Sequence, residues 1–118
     1  MTPPSSAPDL PVTIGPDQRA DYARLPSEAL RREALRYLAR LKRAPFLGIP
    51  LRTHPTMGDL SDCRKLYFDE RDDVPPSWRI VYRLLPDETQ PRSVDVVSIG
   101  RRAHADAYLL AARRLGRS

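Results

Sequence analysis

The hydrophobic period of this chain changes once, across the segment Pro45-Phe-Leu-Gly-Ile-Pro50. Before it, Leu30, Ala34, Tyr37, Leu38 and Leu41 recur at helical spacing, Ser27 is placed to cap the start, and Pro45 stands just beyond the end. After it, apolar and polar residues alternate in three segments, 62–68, 78–85 and 93–101, which is the period of strands. The links 69–77 and 86–92 are rich in turn formers and too short for a helical crossover, so these strands are expected to form an antiparallel meander.

The rest of the chain is arranged around that switch. Five of the 13 prolines, Pro3, Pro4, Pro8, Pro11 and Pro16, crowd the start of the sequence. Residues 1–9 therefore read as a flexible tail before a single domain at 10–118. A short apolar piece at 10–14 is expected as an edge strand because of Pro11, a helix follows over 17–25, and the secure helix covers 27–43. A last helix at 105–115 carries Asp106 in its first turn, Arg113 and Arg114 in its last, and Gly116 as its stop. The expected class is α+β, a small antiparallel sheet packed against helices in the order β-α-α-β-β-β-α. At 118 residues and 41% hydrophobic the chain can bury one core without crosslinks. Its one cysteine, Cys63, excludes an internal disulfide and a thiolate metal cage, and suits a reducing cytoplasm. No apolar run reaches membrane-spanning length, and the N-terminus lacks the regions of a signal peptide, so no membrane partner is expected.

Basic residues number 20 against 15 acidic, and all but Lys42 and Lys65 are arginine. A net charge of +5 permits an anionic partner but does not choose among nucleic acids and acidic proteins. Strand alternation is more selective. It sets Lys65 and Tyr67 opposite Arg64, Leu66 and Phe68, and sets Arg79, Val81 and Arg83 opposite Ile80, Tyr82 and Leu84. With helices on one side only, the other side would display Lys65, Tyr67, Arg79 and Arg83 together. In the last strand Val94 and Val96 compete with Val97 and Ile99 for the core side. The stripe Arg32, Arg36, Arg40 and Arg43 on the secure helix reads as a solvated face or a phosphate-binding one. The histidines His54 and His104 have no metal-ligand spacing, no phosphate-binding glycine loop follows a strand, and Cys63 reads as core filler. No cofactor is expected.

Three segments taken in order, Asp62-Cys-Arg-Lys-Leu-Tyr-Phe68, Trp78-Arg-Ile-Val-Tyr-Arg-Leu84 and Val96-Val-Ser-Ile-Gly-Arg-Arg102, followed by Tyr108, resemble the RelE/ParE superfamily of toxins from bacterial toxin-antitoxin pairs. Leu25-Pro26, Pro45 and Gly58-Asp59-Leu60 fit the same pattern, and the likeness extends over residues 10–115. The resemblance implies a ribosome-dependent mRNA endonuclease that inhibits translation, held by a cognate antitoxin, with the ribosome and mRNA as its other partners. The alternative branch implies a ParE-like, non-enzymatic inhibitor of DNA gyrase, and a third reading is an inactive or repurposed member. In the nuclease branch the matched positions are Lys65, Arg79, Arg102 and Tyr108, which the resemblance implies are catalytic. Tyr67 stands where that branch has a second lysine. Tyr67, Arg83, Arg101 and His104 complete the expected RNA-binding surface. These residue types suit attack of a ribose 2′-hydroxyl on the adjacent phosphorus, because guanidinium groups can hold the phosphate oxygens on which charge develops. Lys65 would neutralise charge, or act as base if its neighbours lowered its pKa.

Overall fold

The computed structural model describes residues 8–52 and 58–117; His54 and most of the expected tail lie outside the described residues. Its secondary structure runs β1 (Val12–Thr13), α1 (Pro16–Ala23), α2 (Glu28–Arg43), β2 (Ile49–Pro50), β3 (Cys63–Phe68), β4 (Trp78–Leu85), β5 (Ser93–Arg101), a single 3-10 turn (Ala103–Ala105) and α3 (Asp106–Arg114). The strands form one sheet in the order β1-β5-β4-β3-β2. The meander β3-β4-β5 is antiparallel as expected, but β1 pairs parallel to β5 at the edge, with Val12 beside Val94, so the sheet is mixed. The two-residue β2 beside β3 is an addition the alternation could not announce, since two residues carry no period.

Helix α2 forms as its sequence directs. The Ser27 hydroxyl accepts from the Leu30 amide at 3.1 Å, and Leu30, Ala34, Leu38 and Leu41 are buried along one side. They pack with Leu66, Phe68, Ile80, Tyr82, Leu84, Val94, Val96 and Ile99 to make the main core. The competition within β5 is resolved by a bulge: Tyr82 pairs with Val96, but Val81 pairs with Ser98. One extra residue shifts the alternation by one position. Val94 and Val96 before the shift and Ile99 after it therefore share the main core, while Val97 turns to the other side.

That other side is not left open, and here the expectation of helices on one face is corrected. Helix α3 lies across it, and Ala107, Tyr108, Ala111 and Ala112 bury Val81, Val97, Cys63 and Leu60 in a second core. Small side chains permit the close approach: a Cβ at Gly100 would sit 3.3 Å from Ala107, and the buried Ser98 hydroxyl donates to the Ala107 carbonyl at 2.7 Å. Gly116, at φ +70°, ends the helix as its sequence position suggests.

The free edge of β5 beyond β1 is closed by side chains. The Asp21 carboxylate on α1 accepts from the Ile99 amide at 3.0 Å and from both terminal nitrogens of Arg114 at 2.7 and 2.9 Å, and Arg24 adds a contact at 2.9 Å. Gln18 and Arg114 each donate to the Val97 carbonyl at 2.9 Å. Breaking a buried pair strands its partner's charge, so Asp21→Ala is expected to cost roughly 3 to 5 kcal/mol in chemical denaturation. Leu38→Ala, which leaves a cavity in the main core, is expected to cost roughly 2 to 5 kcal/mol in the same measurement.

Candidate functional site: a cation cluster on the α3 face

Four of the predicted site residues meet at one end of the α3 face, with a fifth beside them. Lys65 and Tyr67 project from β3, Arg79 is the cross-strand partner of Tyr67 on β4, and Tyr108 descends from the first turns of α3. Arg102 arrives from the end of β5, held by its amide to the Ser77 carbonyl at 2.8 Å. The Arg79 guanidinium carbon lies 4.0 Å from the centre of the Tyr108 ring and 5.3 Å from that of Tyr67. Lys65 Nζ lies 5.0 Å from the Tyr67 ring centre and 5.8 Å from that of Tyr108, and the Arg102 guanidinium lies 4.9 Å from Tyr67. Two rings thus organise three cations.

The cluster is incompletely satisfied. Arg79 is only 9% exposed, yet its Nε and Nη1 have no hydrogen-bond partner, and the buried Tyr108 hydroxyl has Lys65 and Tyr67 as polar neighbours but no hydrogen bond of full geometry. A hydrogen bond to a charged group contributes about 1.5 to 3 kcal/mol, against about 0.5 to 2 for a cation over a ring, so ring contacts alone leave these donors short of what burial costs them. An anion at the cluster would offset this concentration of positive charge. Beside them an open concavity of about 490 Å³ is lined by Ser77, Trp78, Arg79, Arg101 and Arg102, among others.

Lys65 does not become the lowered-pKa base that the sequence allowed. Burial pulls its ammonium down, but interactions with the Tyr67 and Tyr108 hydroxyls outweigh burial and raise it, so Lys65 stays a cation. Tyr67 moves the opposite way: burial pushes its phenol up, and Lys65 and Arg79, with help from Tyr108, bring it below the ordinary value of 10.0. For Tyr108 burial dominates and the phenol lies above 10.0. Cys63 is buried, its thiol pushed to about 12 chiefly by burial and then by Asp62, which makes it unreactive core.

The remaining predicted residues are placed differently. Arg83 sits further along β4 and pairs with Asp95 at 2.8 Å, away from Tyr67. Arg101 stacks on Trp78 at 5.3 Å, and this pair alternates with Arg79 and Gly100 to the opposite side of the sheet end. His104 is exposed in the 3-10 turn, where it and Ala105 take left-handed backbone angles, φ 58° and 56°. On α2 the arginine stripe is a solvated face: Arg36 reaches Glu33 and Arg40 covers Tyr37. Sequence reasoning missed Trp78 as the platform for Arg101, and missed the role of Arg114, which appeared only as a residue suited to the helix dipole.

No protein-family model matches the chain, and no curated protein sequence does. Solved structures do. A double arginine-to-alanine mutant of the E. coli toxin RelE in the free state superposes with a TM-score of 0.62 at 19% identity, covering 91% of this chain and 98% of that one. The toxin-antitoxin complex RelBE2 from Mycobacterium tuberculosis matches with a TM-score of 0.56 at 19% identity, covering 81% of this chain and 100% of the matched chain. The chain has the RelE-like toxin fold. At this identity the likeness is one of architecture, and the chemistry rests on the cluster itself.

A difference titration by ultraviolet absorbance checks the electrostatics. The phenol lost in Tyr67→Phe is expected to titrate below 10.0, and that lost in Tyr108→Phe above it. Because the folded-state pKa of Tyr67 is depressed, its ionisation adds stability as pH rises from that pKa toward 10.0. Tyr108, raised on folding, contributes stability below 10.0 that is lost as pH climbs through its folded value.

Proposed function

We propose that this protein is the toxin of a type II toxin-antitoxin pair and acts as a ribosome-dependent mRNA endonuclease in the cytoplasm. The observation that carries the reading is the convergence of three cations, Lys65, Arg79 and Arg102, on the rings of Tyr67 and Tyr108, with Arg79 buried and two of its nitrogens unpartnered. A phosphodiester is the ligand such a cluster of cations suits, since guanidinium and ammonium groups can share its charged oxygens. The RelE-like fold supports the same reading.

In the proposed reaction the ribose 2′-oxygen attacks the adjacent phosphorus and the 5′-oxygen departs. Arg79 and Arg102 stabilise the charge that grows on the phosphate oxygens, Lys65 adds a fixed positive charge, and Tyr108 holds the Arg79 guanidinium against its ring. Arg101 on Trp78, at the rim of the concavity, and exposed His104 offer surfaces for the flanking nucleotides. The cognate antitoxin covers this surface with an amphipathic segment carrying acidic residues. Its association is expected to slow as salt is added, measured as the association rate over a salt series.

The test is cleavage of mRNA on programmed ribosomes. Arg102→Ala, at an exposed residue, is expected to leave melting nearly unchanged, and Arg79→Met, which removes a buried, unpaired charge but keeps an apolar stem against Tyr108, is expected not to lower it; each is expected to reduce the cleavage rate on the order of a hundredfold, as loss of an oxyanion donor does. Inhibition of gyrase supercoiling by the wild-type protein, with no mRNA cleavage, would overturn the proposal in favour of a ParE-like inhibitor.

A further inference from the structure

We infer that Tyr67 is the catalytic proton acceptor of the cleavage reaction, its hydroxyl taking the proton of the attacking ribose 2′-hydroxyl. The inference rests on the endonuclease reading above and names the group that starts its chemistry.

The geometry carries it. Tyr67 is ringed by cations from three different elements: Lys65 on its own strand at 5.0 Å from the ring centre, Arg79 on β4 at 5.3 Å, and Arg102 after β5 at 4.9 Å. The fourth polar group facing it is the hydroxyl of Tyr108 on α3, and that phenol is held protonated chiefly by its own burial. Each cation favours the phenolate over the phenol and works against the partial burial of Tyr67, which disfavours it. The depressed phenol pKa agrees with this placement. Among the site groups Lys65 remains charged and has no lone pair to accept a proton, and the arginines cannot act as bases at neutral pH.

The step balances without an outside reagent. The Tyr67 phenolate takes the 2′-hydroxyl proton as the 2′-oxygen forms its bond to phosphorus. The bond from phosphorus to the 5′-oxygen breaks, and the departing oxygen takes a proton from water, leaving hydroxide. The products are a 2′,3′-cyclic phosphate and a 5′-hydroxyl. The hydroxide then removes the proton from Tyr67, and Lys65 keeps its charge throughout.

Single-turnover cleavage on programmed ribosomes, followed across pH, tests the assignment. Tyr67→Phe keeps the ring and its cation contacts and removes only the hydroxyl, so melting and ribosome binding should be retained while the rate falls about a hundredfold or more. The wild-type rate should rise with pH and level off below the ordinary phenol range, and a fluorinated tyrosine at position 67, a stronger acid, should move that rise to lower pH. Undiminished cleavage by Tyr67→Phe, or a pH profile unmoved by fluorination, would overturn this inference and leave the endonuclease reading standing. Absence of cleavage by the wild-type protein would overturn both.

Discussion

The carboxylate of Asp21 is the point on which the α3 face depends. It is buried on α1, yet it accepts from the Ile99 amide on the open edge of β5 and from both terminal nitrogens of Arg114 on α3. One side chain therefore closes a sheet edge and fastens a helix. Without that tie, α3 would rest on a contact surface made mainly of alanines, whose burial contributes little per residue compared with leucine or phenylalanine. Tyr108 stands on the same helix, so the position of its ring over Arg79 follows from an ion pair at the far end of the helix. A buried ion pair is weak evidence for stability in general, because desolvation offsets attraction. Here its geometry answers a specific need, since the buried Ile99 amide would otherwise be unpaired.

The cation cluster is organised on the opposite principle. Where Asp21 is fully partnered, Arg79 is buried with two nitrogens unpaired, and Lys65 and Arg102 add like charge nearby. Aromatic faces moderate the repulsion, and the cross-strand register of Tyr67 with Arg79 supplies one of them directly. Such a site stores binding energy for an anion in the folded scaffold, and the stabilisation is largest for a ligand that gains negative charge during reaction. A tyrosine at position 67 fits this balance: a fourth cation there would deepen the repulsion, whereas a phenol next to three cations is drawn toward its anion.

Sequence reading succeeded where the responsible forces are local. Ser27 caps α2, Gly116 ends α3, and the strands 78–85 and 93–101 have the expected limits, because caps, turns and alternation depend on neighbouring residues. Lys65, Arg79, Arg102 and Tyr108, picked out by the resemblance, and Tyr67, grouped with Lys65 and Arg79 by strand alternation, lie together in the structure. Reading failed where the cause is distant. Arg83 shares a face with Arg79 by alternation, but Asp95 on the next strand takes its charge. The bulge at Val96 to Ser98 lets valines on both phases be buried, so no strict period-two reading of that strand could assign its core side.

The sequence by itself determined the order of the longer helices and strands, the buried side of α2, β3 and β4, and the basic residues on one sheet face, since periodicity and side-chain chemistry act over a few residues. Only the tertiary structure decided that α3 covers that face, that Tyr108 meets Arg79, and that Lys65 stays charged while Tyr67 becomes more acidic. Those outcomes follow from burial and from charges brought within a few ångströms by chain segments far apart in sequence, and neither quantity is a property of any one segment.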